Sequence, residues 1–154
     1  ERPCYRLAGG QLDFLDRAII FTGAGKYENG YVFASKAVNP ADWFYPCHFY
    51  RDPVMPGSLG VEAILQAIKL FALQHDLGAH LISPRFVHVP GTTEWLYRGQ
   101  ITPDNKTMEL EVHIRSIEWM KRSLRIYADA NLWKNGLRIY EVKNAAVALK
   151  GGSE

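Results

Sequence analysis

Cysteine is scarce in this chain, net charge is small, and no apolar run approaches membrane-spanning length. Cys4 and Cys47 are its two cysteines. Neither belongs to a Cys-x-x-Cys pair, which excludes a disulfide framework and points to a reducing, cytoplasmic setting. Basic residues exceed acidic ones by two formal charges, with no dense Lys/Arg block, so nucleic acid is not an expected partner. No basic-then-apolar leader opens the chain and no membrane span is expected. His75, His80, His88 and His113 show no metal-ligand spacing, so no metal is expected either. Gly23-Ala24-Gly25 is too short for a phosphate loop.

What is present is an ordinary globular composition, 47% hydrophobic and 22% charged over 154 residues. That length can bury a core of its own. We expect a single domain over 1–154, with residues 1–10 as an N-terminal arm and 150–154 as a linker-like tail. The start at Glu1 and the Gly-Gly-Ser-Glu ending suit a domain cut from a longer polypeptide, and equally trimmed ends.

Two periodicities organise the chain. Leu59, Ile64, Leu65, Ile68, Phe71 and Ala72 recur at three- and four-residue spacing, which predicts a helix over 58–75 with Ser58 as its N-cap and Asp76-Leu77-Gly78 as its stop. Glu62 and Lys69 are its few charges, so it should be mostly buried. Beyond it the period drops to two. Met108, Leu110, Val112 and Ile114 alternate with polar residues, and so do Leu124, Ile126, Ala128, Ala130 and Leu132. Asn29-Gly30 and Asn135-Gly136 carry hairpin signals; Pro103-Asp104-Asn105 and Trp119-Met120-Lys121 mark the other turns. Arg85 to Val89 and Thr93 to Ile101 are read as strand material, giving a meander of about four long strands. An α+β hot-dog fold, a curved antiparallel β-sheet wrapped around one long buried central helix, satisfies both patterns.

Chemistry concentrates in residues 48–62, His-Phe-Tyr-Arg-Asp-Pro-Val-Met-Pro-Gly-Ser-Leu-Gly-Val-Glu. An imidazole titrates near neutral pH and can take a proton from carbon beside a thioester carbonyl. A backbone N–H at a helix start, that of Gly57 or Ser58, can hold the charge on the carbonyl oxygen. Gly57 has no side chain, so a substrate could come close. A carboxylic acid kept neutral by apolar neighbours can protonate a departing hydroxyl. For Glu62 those neighbours would be Val61, Ile64 and Leu65. Together these parts fit loss of water from a β-hydroxyacyl thioester. Cys47, beside His48, is read as a packing thiol in the core rather than a nucleophile.

The string Trp43-Phe44-x-x-Cys47-His48-Phe49-x-x-Asp52-Pro53-Val54-Met55-Pro56-Gly57-x-Leu59-Gly60-x-Glu62 resembles the active-site motif of the FabA-like β-hydroxyacyl-acyl-carrier-protein dehydratases. Leu12 to Arg17, Asn39-Pro40, Gly99-Gln100 and Gly136 to Tyr140 extend the resemblance over roughly residues 10–150. Ser83-Pro84-Arg85-Phe86, Tyr97 to Pro103 and Leu137 to Val142 look closer still to dehydratase domains of multidomain polyunsaturated fatty acid synthases.

The resemblance implies dehydration of (3R)-hydroxyacyl thioesters, carried on the phosphopantetheine of an acyl carrier protein, to 2-enoyl thioesters, without metal or redox cofactor. His48 would be the base and Glu62 the acid, with the Gly57 N–H on the thioester oxygen and Gln66 orienting the acid. Phe49, Val54, Met55, Pro56, Ser58 and Leu65 would line the acyl tunnel. Arg115, Lys121 and Arg122 would meet the carrier protein. Family sites are built across two hot-dogs, which implies a homodimer or a tandem pseudodimer. Glu62 stands where the isomerising members have Asp, which puts 2-enoyl/3-enoyl isomerase activity in doubt; Ser58 stands where the stand-alone enzyme has Cys. An isomerising dehydratase, a hot-dog thioesterase and a non-catalytic partner domain are the alternatives.

Overall fold

Alternating sequence after residue 107 folds into three long antiparallel strands. The computed structural model describes residues 5–152. In it β5 (Thr107–Met120), β6 (Ser123–Lys134) and β7 (Leu137–Lys150) are consecutive neighbours. Leu110, Val112 and Ile114 of β5 and Leu124, Ile126, Ala128 and Leu132 of β6 are fully buried, while the residues between them reach solvent in part. A side-chain period of two requires that division. β1 (Arg17–Phe21) and β2 (Tyr31–Ala37) extend the sheet beyond β5. On the other side β3 (Arg85–Val87) and β4 (Glu94–Tyr97) both pair with β7.

The helix α1 (Gly57–Gln74) sits against one face of this sheet. Ala63, Ile64, Ala67, Ile68, Phe71 and Ala72 are buried and share a core with the inward residues of β2, β5, β6 and β7. Truncating Ile64 or Ile68 to Ala should cost about 2–5 kcal/mol, since each is completely enclosed. The opposite side of α1 is less covered. Val61, Glu62, Leu65, Lys69 and Leu70 are only half-buried.

Of three register shifts, one falls between Leu132 and Trp133 near the end of β6; the other two, which curve the sheet around the helix, fall at Arg115 in β5 and where Asp129 of β6 meets β7. Bulges bend and twist the strand that carries them. Asn144 of β7, in the left-handed region at φ 61°, joins the two. Its N–H donates to Asp129 Oδ1 at 3.1 Å, and its side-chain oxygen accepts from the Arg115 guanidinium. The result is the hot-dog fold.

Several local expectations need correction. Residues 85–89 and 93–101 supply only short edge strands, so the long strands are three. Trp119 and Met120 complete β5, and its turn falls at Lys121-Arg122. The hairpin signalled by Asn29-Gly30 forms, with β1 and β2 paired from Phe21 and Tyr31 outward, but its connection is the longer stretch 22–30 rather than a two-residue turn, and Asn29 Nδ2 donates to the Arg115 carbonyl at 2.7 Å. Asn135-Gly136 is the expected tight turn, both residues at positive φ (46° and 80°).

Ser58 does not cap α1. Pro56 holds the cap position with φ −52° and ψ 127°, and no side chain bonds the exposed amides. At the other end Asp76, at φ 44°, makes the left-handed exit two residues before Gly78. The described part of the arm lies along the body, where the Tyr5 hydroxyl donates to the Ala72 carbonyl and accepts the Gly78 N–H. Cys4 and the ends of the arm and tail lie outside the described residues.

Candidate active site

The loop before α1 folds back on itself. The N–H groups of Cys47 and His48 both donate to the Phe44 carbonyl, at 3.2 and 2.9 Å. This reversal turns the imidazole toward the Val54 carbonyl, with Nδ1 3.1 Å from the oxygen. A carbonyl only accepts, so Nδ1 carries the proton and Nε2 keeps its lone pair in the neutral ring. Phe49 packs against the imidazole at 4.1 Å between centroids. His48 is thus a half-buried base with its tautomer set. Cys47 is exposed rather than in the core. Its Sγ leans on the Trp43 and Phe44 carbonyls at 3.3 and 3.6 Å, because the same reversal leaves its side chain outside.

α1 begins directly after Met55-Pro56. The amides of Gly57 and Ser58 find no acceptor among the described residues, and the Leu59 N–H closes a turn on the Pro56 carbonyl. Unpaired amides at a helix start favour negative charge. The carbonyl side of Gly57 is held by Tyr140, whose hydroxyl donates to it at 3.3 Å. Trp95, Tyr97 and Tyr140 pack on one another with centroids 5.2–5.3 Å apart, and this cluster lies against the helix start. A Cβ on Gly57 would come within 2.8 Å of Trp95, and one on Gly60 within 2.4 Å of Tyr140. The room left by the missing Gly57 side chain is therefore taken by Trp95, not open to a ligand. Burial pushes the Tyr140 hydroxyl well above the usual phenol range, with neighbouring Tyr97 adding to it.

Glu62, Gln66 and Lys69 fall at i, i+4 and i+7, one face of the helix. Gln66 is 1% exposed and completely engaged. Its Nε2 donates to the Leu12 carbonyl at 2.7 Å and to Glu62 Oε1 at 3.2 Å, and its Oε1 accepts the Phe14 N–H at 3.2 Å. The arm segment thus locks the amide, and the amide aims the carboxylate. Lys69 Nζ lies 3.5 Å from the same Glu62 oxygen. The surroundings of Glu62 are therefore mixed, an apolar groove wall on one side and the polar groups of Gln66 and Lys69 on the other, rather than the Val61, Ile64 and Leu65 envelope expected. Ile64 faces the core, Leu65 alone of the three shares the carboxylate's groove, and the nearest groups are an amide and an ammonium.

That groove, about 260 Å³, is lined by Glu62, Leu65 and Lys69 of α1, by Phe86, Val87 and His88 at the β3 edge, and by Ala146 and Val147. His48 does not line it. The residues expected around an acyl chain are likewise divided. Val54 and Met55 are buried, and Met55 faces a separate, very small apolar cavity of about 10 Å³ with Phe44, Tyr45, Ile101 and Met108. Phe49 and Ser58 are exposed and Pro56 is half-buried.

The expected carrier contacts also separate. Lys121 and Arg122 border a space of about 170 Å³ with His80, Leu81 and Ile82, beyond the C-terminal end of α1. Its 18 residues place that end about 27 Å from Gly57 at helical rise. Arg115, six residues back along β5 and so on the order of 20 Å away, is occupied with Asn144 and with the Tyr127 ring.

Lys69 was legible as the next member of the 62/66 face and was missed. Trp95, Tyr97 and Tyr140 carry no signal in the sequence for their place over Gly57, because pairing across β7 brings them there.

Comparison with known proteins bears on the family and the fold. The family model of the FabA-like domain matches residues 7–143. One component of the polyunsaturated fatty acid synthase of Thraustochytrium sp. is 46% identical over 144 residues, which is 92% of this chain. The chain spans only 10% of that relative's length. Among solved structures, the dehydratase heterocomplex of Xenorhabdus doucetiae superposes with a TM-score of 0.58 at 10% identity, covering 96% of this chain and 88% of that one. A protein described as a thioesterase from Lactococcus lactis superposes at 0.53 and 10% identity, covering 91% and 96%. At such identities these two likenesses speak for the fold alone.

Proposed function

The chain belongs to the FabA-like family, and on that premise we propose that it removes water from β-hydroxyacyl thioesters to give 2-enoyl thioesters. The observation that carries the reading is the bond from His48 Nδ1 to the Val54 carbonyl, which leaves Nε2 as a base at the N-terminal end of α1. In the proposed reaction Nε2 takes the proton from the carbon next to the thioester carbonyl. The C–H electrons form the new double bond, the β-carbon–oxygen bond breaks, and Glu62 gives its proton to the departing hydroxyl, which leaves as water. The Gly57 N–H holds the thioester oxygen while negative charge builds there. Solvent returns the proton from His48 to Glu62, and the step consumes no oxidant or metal.

The likeness to a component of a polyunsaturated fatty acid synthase supports an acyl thioester carried on the phosphopantetheine arm of an acyl carrier protein. Lys121 and Arg122 are the cations offered for that carrier. Because His48 does not line the groove of Glu62, the complete site is proposed to form between two hot-dogs. Each would supply the base to one site and the acid to the other. The uncovered edge strand β3, whose Phe86 and Val87 line the groove, suits such pairing.

The test is hydration of a 2-enoyl pantetheine thioester, the reverse of the proposed reaction, followed by loss of the conjugated enoyl absorbance. His48→Ala and Glu62→Ala should each lower turnover by at least ~10²-fold while the melting temperature holds. Wild-type turnover in either variant would sink the reading. Release of free thiol would show a thioesterase instead, and no turnover by the unmodified chain would show a partner domain.

A further inference from the structure

Glu62 is held by two donors of different kinds on the same oxygen. Gln66 brings a neutral amide that three hydrogen bonds hold in place. Lys69 brings a full charge at 3.5 Å. Among the described residues Glu62 Oε2 accepts no hydrogen bond, so one oxygen is anchored and the other is presented to the groove. An amide sets direction, but only the ammonium can offset charge that appears when the carboxyl loses its proton.

We propose that Lys69 is a positioning residue for Glu62, compensating the negative charge the carboxylate acquires as it protonates the leaving hydroxyl. This rests on the dehydratase reading above. Both side chains are largely withdrawn from solvent, 22% exposed for Lys69 and 29% for Glu62, so water and salt screen the pair less than a free surface pair. The other groups facing Glu62 do not duplicate the role. β3 contributes Phe86 and Val87, and β7 contributes Ala146 and Val147. His88 is the one further titratable group on the groove wall. Behind the ammonium, Arg6 to Gly9 of the arm border a second space that Lys69 shares, and Gln66 fixes the arm at Leu12 and Phe14.

The experiment compares Lys69→Met, Lys69→Gln and Lys69→Arg in the whole chain, in the dehydration direction, with a β-hydroxyacyl pantetheine thioester as substrate and the rise of the conjugated enoyl absorbance as the readout. Met and Gln should each lower kcat on the order of tenfold, with KM within about twofold and an unchanged melting temperature. Arg should restore kcat, since it returns the charge. If Met fails to fold, Gln and Arg still make the comparison. Wild-type kcat in Met and Gln, or an Arg variant as slow as they are, overturns the proposal. Glu62→Gln is run beside them. If it is inactive while the Lys69 variants are silent, only the role of Lys69 falls. If it turns over like wild type, the acid assignment falls and the role of Lys69 falls with it.

Discussion

Tyr140 donates its hydroxyl to the carbonyl of Gly57 across 83 residues of sequence, at 3.3 Å. The bond ties the last long strand to the first residue of the helix that carries the candidate acid. It also gives a buried phenol its partner, since Tyr140 is 1% exposed. Tyr140→Phe keeps the packing against Trp95 and Tyr97 and removes only the bond. Its cost should be about 1 kcal/mol in urea unfolding. A change much below that would mean the hydroxyl was already satisfied by solvent.

Gly57→Ala adds one methyl at a place with no room for it. The new Cβ would come within 2.8 Å of Trp95 and 3.1 Å of Tyr97. Overpacking of this size costs about 1–3 kcal/mol. Trp95→Leu in the same chain should recover much of the loss, because it removes the ring that is struck. Additive losses in the double variant would disprove the contact.

Much of the fold was readable because its two periods are so clean. Met108 to Ile114 and Leu124 to Leu132 alternate without interruption, and the 59–72 pattern repeats at helical spacing. The short edges β3 and β4 were overread, since four residues such as Glu94–Tyr97 have no period to measure. Asn29-Gly30 carried a hairpin signal, yet Asn29 serves a contact to Arg115 that no local rule contains. At the site, Gln66 could be found from its spacing to Glu62. The Trp95 ring over Gly57 and the Lys69 ammonium beside Glu62 depend on tertiary packing and side-chain direction. The motif marked where the chemistry lies but not what surrounds it.

Acid should weaken the fold through Asp129. Burial alone would push its carboxyl up. The Tyr27 hydroxyl, the Asn144 N–H and the charges of Arg115 and Lys26 outweigh that and hold it below the usual 3.8. A carboxyl depressed in the folded state stabilises above its ordinary value and loses that contribution as pH falls through its folded value. Asp129→Asn should therefore be destabilised relative to wild type near neutrality, and the gap should close below about pH 4. A gap that is constant with pH would show that the loss is packing, not charge.

Alkali acts through a different group with the opposite sign. Tyr45 is pushed up to about 12 by burial, with Asp42 and Asp104 adding to it. A phenol raised in the folded state stabilises fully below its ordinary 10 and loses that contribution as pH rises through about 12. Its hydroxyl is buried with no partner among the described residues. Tyr45→Phe should thus be neutral or slightly stabilising at pH 7, and flatter than wild type in stability between pH 10 and 12. A loss of more than about 1 kcal/mol at pH 7 would reveal a hydrogen bond to water in the adjoining cavity.

Whether the proposed site is shared between two hot-dogs can be tested by mixing variants. His48 and Glu62 belong to one loop-to-helix element, yet His48 is absent from the groove that Glu62 lines. If each proposed site takes its base from one hot-dog and its acid from another, a mixture of His48→Ala and Glu62→Ala chains should regain activity once protomers exchange. In a one-to-one mixture at random exchange, half of the dimers would be mixed. Each of these holds one site with both residues intact and one with neither. About a quarter of wild-type turnover is then expected per total chain. Recovery should follow the rate of exchange and vanish when the two variants are kept apart. A mixture that stays inactive after exchange is demonstrated would place base and acid within one chain. The loop from Cys47 to Met55 would then have to move toward Glu62 before any chemistry occurs.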